Sequence, residues 1–157
     1  MKRLLYVFGL LFLNLNAFAL DFELENVDQE FVSYSQIKGE KATVLDFWAT
    51  YCGPCVRSIP ELVKLQADFK NKGVQIIGIN VDGPRNQSKV KPFIESFDVN
   101  YPVLLDLNRE VMGLFNVNAM PSLLILNAED DVVFSHEGFR AGDEIEIREQ
   151  LEKLIGH

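Results

Sequence analysis

The chain has 157 residues, 48% hydrophobic and 24% charged, which suits one globular domain with its own core. A net charge of −8 at pH 7 leaves neither a basic footprint for nucleic acid nor a polybasic patch for anionic lipid. The acidity is read as solubility, and there is no fixed-period repeat or low-complexity segment.

The chain opens on a segment that does not read as fold. Residues 1–19, MKRLLYVFGLLFLNLNAFA, carry Lys2 and Arg3, an apolar stretch from Leu4 to Leu13, and the small-x-small pattern Ala17-Phe18-Ala19. This is the pattern of a cleaved secretory signal peptide. The apolar stretch falls short of the about 20 residues that span a bilayer, so an uncleaved anchor is the lesser alternative. The expected division is a signal peptide over 1–19 and one domain over 20–157. That domain would work in the periplasm or outside the cell, where disulfides persist.

Loose alternation over 21–34 predicts a short hairpin turning near Asp28-Gln29, followed by a turn on Gly39. ATVLDFWA, 42–49, is β-branched and aromatic and reads as a buried strand. Helical spacing starts after Cys52, with Ile59, Leu62, Leu65 and Phe69 near one face and Gly73 as the stop. VQIIGINV, 74–81, is a second buried strand. Strand, helix and strand make a βαβ unit, so the two strands should be parallel. A loop over 82–87 precedes a helix over 88–97, with Pro92 in its first turn. A strand follows over 101–106, then a helix over 108–117 with Asn108 as its cap. Strands over 121–127 and 131–139 are joined by a connection short enough for an antiparallel hairpin. An amphipathic helix over 142–155 closes the chain, with Ile145, Leu151, Leu154 and Ile155 facing inward. Helices interleaved with strands predict an α/β fold around a central mixed sheet.

Both cysteines lie in FWATYCGPC, 47–55. On this map Cys52 falls where a strand ends and a helix begins. Unpaired N–H groups and the positive end of the helix dipole gather there and favour a thiolate. Cys52 is therefore the expected nucleophile. Cys55, one turn later and more buried, is placed to attack Cys52 in a mixed disulfide and release the reduced partner. Pro54 costs nothing in the first turn, where its missing N–H had no partner. Two other uses of the thiols compete. A staple closing so small a loop constrains the unfolded chain little. A zinc site needs four ligands, and His136 and His157 are distant in sequence. His136 reads as a strand residue facing water or a neighbour. The favoured reading is a redox couple, with no metal and no cofactor beyond the Cys52–Cys55 disulfide.

These residues also carry a family likeness. DFWATYCGPC resembles the active-site strand and loop of thioredoxins. Pro60 matches the proline that kinks the thioredoxin helix, and MPS, 120–122, resembles the cis-proline segment. The likeness covers nearly all of 21–156. The secretion signal, the early hairpin and the extra segment over 80–106 resemble the TlpA/ResA-like extracytoplasmic thiol-disulfide oxidoreductases, which include cytochrome c maturation proteins. The resemblance implies a thioredoxin-like fold with an N-terminal β-hairpin and a central αβ insertion. It implies that Pro121 faces the disulfide and that Met120's backbone can pair with an extended substrate. It makes Asp46 a buried acid that moves the Cys55 proton. Tyr51, Gly53 and Pro54 would complete the substrate-facing loop, and Trp48 and Pro60 would support it by packing. From the residues alone, a trans proline starting a strand and an acid at a solvated strand edge stay open for Pro121 and Asp46. For Trp48, plain core packing is an equal reading.

Four positions depart from the family pattern. Tyr51 stands where thioredoxins usually carry Trp. Ser58 stands where many TlpA/ResA-like members carry Glu, and Asp46 where many carry Asn. Gly78 matches the lysine that pairs with the buried acid in thioredoxins.

The Gly-Pro pair between the cysteines resembles that of reducing members. The expected function is a disulfide reductase of secreted proteins, with apocytochrome c a candidate substrate. A membrane thiol donor would feed it, and it would act as a monomer. Because poise varies on this fold from about −270 to −120 mV, oxidase and isomerase remain alternatives. So do a peroxidase-like enzyme and a non-enzymatic binding module.

Overall fold

The computed structural model describes residues 20–156, so the expected signal peptide over 1–19 lies outside the described residues. The elements are β1 (Glu23–Asn26), β2 (Phe31–Ser33), α1 (Tyr34–Ile37), β3 (Ala42–Trp48), α2 (Gly53–Phe69) and β4 (Val74–Asn80). They continue with α3 (Gln87–Ser96), β5 (Val103–Leu105), α4 (Glu110–Leu114), β6 (Ser122–Asn127), β7 (Val132–Glu137) and α5 (Asp143–Ile155).

All seven residues of β3 are buried, as a β-branched and aromatic run covered on both faces must be. The strand sits inside a seven-stranded sheet of order β2-β1-β5-β4-β3-β6-β7. It pairs in parallel with β4 and antiparallel with β6, and β7 continues the antiparallel side. The expected βαβ unit, the mixed sheet and the closing hairpin are therefore present. The insertion, α3 and β5, places β5 between β4 and the N-terminal hairpin. That hairpin turns with Gln29 at φ 64°. At the turn before β3, Gly39 runs so close to Ala42 that a side chain would collide with the Ala42 carbonyl oxygen.

Alternating residues of β3 divide the core. Trp48 stacks on Phe93 of α3 at 5.4 Å, while Asp46 shares a cavity with Leu62 of α2 and Ile147 of α5. On the other face Phe47 meets Phe115 at 6.1 Å, and Phe22 bridges Phe115 and Tyr34. Ile59, Leu62, Leu65 and Phe69 of α2 are all buried, as their spacing predicts.

Four local expectations change. Tyr34, expected to end the hairpin, instead opens a helical turn over Tyr34–Ile37 and is drawn into the core at 0% exposure. The helix α2 stops at Phe69; a 3₁₀ turn over Lys70–Lys72 reaches Gly73, whose φ of 84° ends it. Asn108 does not cap α4. The Asp106 carboxylate does, accepting from the backbone N–H of Glu110 and of Met112, each at 2.8 Å. In α5 Leu151 is buried and Leu154 and Ile155 are half-buried against the core, as expected, but Ile147 is buried in place of Ile145, which is 58% exposed. The helix starts one residue later than its sequence pattern indicates, and its buried face is set by what β3 and α2 present.

Candidate active site

The site is built at the carboxyl end of β3. Trp48, the last residue of the strand, accepts a backbone hydrogen bond from Val81 N–H at 2.9 Å, tying the loop to the end of β4. Thr50 is held twice by Asp82: its N–H donates to Oδ2 at 3.0 Å and its hydroxyl to Oδ1 at 3.2 Å. Asn80 Nδ2 also donates to Asp82 Oδ2, at 3.0 Å. The residue after the loop turn is Cys52, N-cap of α2.

Cys52 and Cys55 are joined in a disulfide, with Cα atoms 5.3 Å apart. The two sulfurs are not equivalent. Cys52 is 9% exposed and its Sγ accepts the backbone N–H of Cys55 at 3.3 Å; Cys55 is fully buried. A negative charge on Cys52 Sγ would thus meet a backbone donor and the positive end of a 17-residue helix. Pro54 sits in the first turn. Gly53 is exposed, and a Cβ there would meet nothing closer than Arg57 at 3.9 Å, so its lack of a side chain is not imposed by crowding.

Asp46 lies inside the sheet at 1% exposure, which removes the solvated-edge alternative. Its Oδ2 has no hydrogen-bond partner. Burial pushes its carboxyl up to about 7 from an ordinary 3.8. Its register partner on β4 is Gly78, so no side chain stands beside it there. The space over Gly78 is taken by Trp48, Val103 and Tyr101 instead: a Cβ would lie 3.1 Å from Trp48 Nε1. Tyr101 is pushed well above its usual range, by burial first and by the Asp46 charge second. Trp48 is 1% exposed and its Nε1 also lacks a partner.

The Met120–Pro121 bond is cis and lies immediately before Ser122, which faces Phe47 across β3 and β6. This brings Pro121 beside the end of β3, and Pro121 lines the cavity that holds Asp46. The Pro121 carbonyl accepts from Gly138 N–H at 2.8 Å. Met120 is half-buried beside it. Tyr51 projects from the rim at 59% exposure, and its hydroxyl accepts from Arg109 Nη2 at 3.2 Å. Pro60 interrupts α2 from the helix's exposed side, so it shapes the helix backbone rather than supporting the site by packing.

The structure therefore brings Asp46, Cys52, Cys55, Tyr51 and Pro121 to one end of the sheet and leaves Pro60 outside. It adds Asp82 and Arg109, which sequence reasoning missed. Asp82 sits in a Gly-Pro-containing loop and reads there as an ordinary turn acid; Arg109 is 57 positions beyond Cys52. Among the described residues, no three His, Cys, Asp or Glu side chains converge as a metal site. No helix there is long and apolar enough to cross a membrane.

Known proteins are similar to this chain. The ResA thiol-disulfide oxidoreductase of Oceanobacillus iheyensis is 35% identical over 132 residues, 82% of this chain and 67% of that protein. ResA of Bacillus subtilis is 35% identical over 115 residues, covering 73% of this chain and 63% of its own. This chain spans about two thirds of the length of these curated relatives. A solved structure of a putative thiol:disulfide interchange protein DsbE from Chlorobium tepidum superposes with a TM-score of 0.79. It is 30% identical, with 88% of this chain and 95% of that one covered. The exposed lipoprotein thioredoxin Etrx1 of Streptococcus pneumoniae superposes at 0.72 with 27% identity, covering 86% of this chain and 100% of its own. Residues 15–135, a stretch that takes in Asp46, both cysteines and the Met120–Pro121 turn, match the AhpC/TSA family. The chain belongs to the AhpC/TSA family and has its thioredoxin-like fold, with ResA-type thiol-disulfide oxidoreductases among its relatives.

Proposed function

We propose that this protein is a periplasmic or secreted thiol-disulfide oxidoreductase that reduces disulfides of other extracytoplasmic proteins. The observation that carries the reading is the asymmetry of the two sulfurs. Cys52 is reachable and sits at a helix N-terminus, and Cys55 is sealed one turn further in. In the reduced protein, Cys52 thiolate attacks a substrate disulfide and forms a mixed disulfide. Cys55 gives its proton to Asp46 and attacks Cys52 Sγ. The substrate leaves as a thiol, and the Cys52–Cys55 bond closes. The Asp46 cavity begins one helical turn beyond Cys55, at Ser58, whose hydroxyl donates to the Cys55 carbonyl at 2.9 Å. Tyr51, Met120 and Pro121 form the substrate-facing rim, with Gly53 and Pro54 between the cysteines. The disulfide itself is the redox group, without a further cofactor.

Secreted disulfide proteins, apocytochrome c among them, are the proposed substrates. A membrane thiol donor is the proposed source of electrons, and the working unit is a monomer. The likeness to an exposed lipoprotein thioredoxin and to a DsbE-type protein supports an extracytoplasmic place.

The deciding measurement is the reduction potential of the Cys52–Cys55 pair, by equilibration in thiol buffers and trapping of free thiols. A value near about −270 mV supports a reductase, and one near about −120 mV reverses the electron flow. A pair that never cycles favours a binding module. Peroxide consumption that survives Cys55→Ser would favour a peroxidase.

A further inference from the structure

We propose that His136 is the route by which buried Asp46 exchanges its proton with solvent. The inference rests on the redox reading above and assigns it a proton-relay residue.

Register places the two groups in one row. Asp46 on β3 faces Leu123 on β6, and Leu123 faces His136 on β7. Residues paired across neighbouring strands share a face of the sheet, and two strand spacings put their backbones about 10 Å apart. Asp46 and His136 line the same small cavity, walled by Leu62, Leu123, Pro121 and Ile147. Its volume, about 10 Å³, is at the lower bound for one water. Three polar residues line it: Asp46, whose Oδ2 is unpartnered, His136, and Ser58, whose hydroxyl hydrogen is spent on Cys55 O and whose lone pairs stay open.

The outer side of His136 opens toward solvent. Its Nε2 lies 3.0 Å from Asp143 Oδ2. With the proton on Nε2, Nδ1 is the acceptor, and the other carboxylate, Glu146, is 3.9 Å from it, beyond hydrogen-bond reach. The side chains of His136, Asp143 and Glu146 are 20%, 25% and 55% exposed. The charged groups around the ring are these two carboxylates from α5 and Arg140 from the loop before it. Leu123 from β6 and Ser58 and Leu62 from α2 bring none. The Arg140 backbone N–H, and then His136, hold Asp143 below the usual carboxylate range, so it stays anionic.

The proton is the only particle that moves in this step. Asp46, having taken the Cys55 proton, passes it through a water held in the cavity to the unprotonated nitrogen of the His136 ring. The imidazolium loses a proton to water at its exposed edge. Asp46 is a carboxylate again, and the sulfur electrons are untouched.

A stopped-flow pH jump tests this, with the reduced protein and the aromatic disulfide 5,5′-dithiobis(2-nitrobenzoate). The first release of aromatic thiolate reports attack by Cys52, and the second reports resolution by Cys55. Protein is equilibrated either at about pH 5.5 or at about pH 8, on either side of the Asp46 value of about 7, and both are mixed to about pH 8. Wild type shows the same second phase from either start. His136→Phe shows a second phase about tenfold slower from the acid start only, with the first phase unchanged. His136→Gln keeps a donor for Asp143 but cannot carry a proton, and shows the same lag. A general packing defect would move both phases and both starts. Equal second phases from both starts in these variants overturn the relay. Absence of the first phase, or a second phase unaffected by Asp46→Asn, would instead overturn the redox reading beneath it.

Discussion

Asp82 and Asp106, just past the carboxyl ends of β4 and β5, are as buried as Asp46, two residues from the carboxyl end of β3, at 0%, 1% and 1% exposure. Their surroundings differ. Asp82 accepts three hydrogen bonds, two from Thr50 and one from Asn80. Asp106 accepts two backbone N–H groups of the α4 start. Asp46 Oδ2 accepts none, and its carboxyl is pushed up to about 7. A buried carboxylate with its oxygens satisfied is a structural clamp, because removing it strands its donors. A buried carboxyl left bare pays desolvation whenever it ionises, and that poises it to trade protons near neutral pH. The two clamps hold loops on which the site depends, and the bare acid lines a cavity with Pro121 and with Ser58, one turn past Cys55.

The sharpest break of this contrast is the sign of the stability change. Asp82→Ala strands the Thr50 and Asn80 donors, so it should destabilise the fold by about 3–5 kcal/mol in denaturant titrations. Loss of activity should accompany it as the loop that carries Cys52 loosens.

Asp46→Asn should do the opposite. The folded-state value of Asp46 is raised, so the native protein holds its proton to higher pH than the unfolded chain does. Stability then falls as pH rises from about 3.8 to about 7, and the loss is complete above that. The variant lacks this slope. It should exceed wild type by about 2–4 kcal/mol at pH 8, with the gap closing toward pH 4. Its mixed disulfide should resolve more slowly. Urea melts at several pH values would show either trend.

Asp106→Asn retains one acceptor of two and should cost about 1–2 kcal/mol, with fraying confined to α4 in hydrogen exchange. Gly53→Ala marks the small end. The added methyl enters open space, so thermal stability should change by less than about 0.5 kcal/mol. A larger loss would mean that the loop needs glycine for a reason other than room.

Much of the contrast was invisible in the sequence. DFWATYCGPC announces a buried strand, a helix start and a thiol pair, because each depends on neighbours within a few positions. Asp46 stands out there as an acid in an apolar run. Asp82 does not stand out, because its partner Thr50 is 32 positions away. The Asn108 cap failed for a related reason: two plausible acceptors, Asp106 and Asn108, lie close together, and only the path of β5 decides which reaches the helix. Ile145 and Ile147 are both apolar, and the choice between them follows the face that α2 and β3 leave open. His136 reads as a strand residue beside water or a neighbour. Its neighbour proves to be the cavity of the acid 90 positions earlier, because β6 lies between β3 and β7.

The sequence by itself determined the cysteine pair and its place between a strand and a helix, the parallel β3–β4 pair and the class of fold. Each is written in local periodicity, in composition, or in the chemistry of a four-residue motif. Tertiary structure alone decided that Asp46 is bare while Asp82 and Asp106 are satisfied. It also decided that His136 lines the cavity of the first of these and that Thr50 hangs from the second. Those are outcomes of strand register and loop closure, which bring distant residues into contact and fix which polar groups meet a partner in the core.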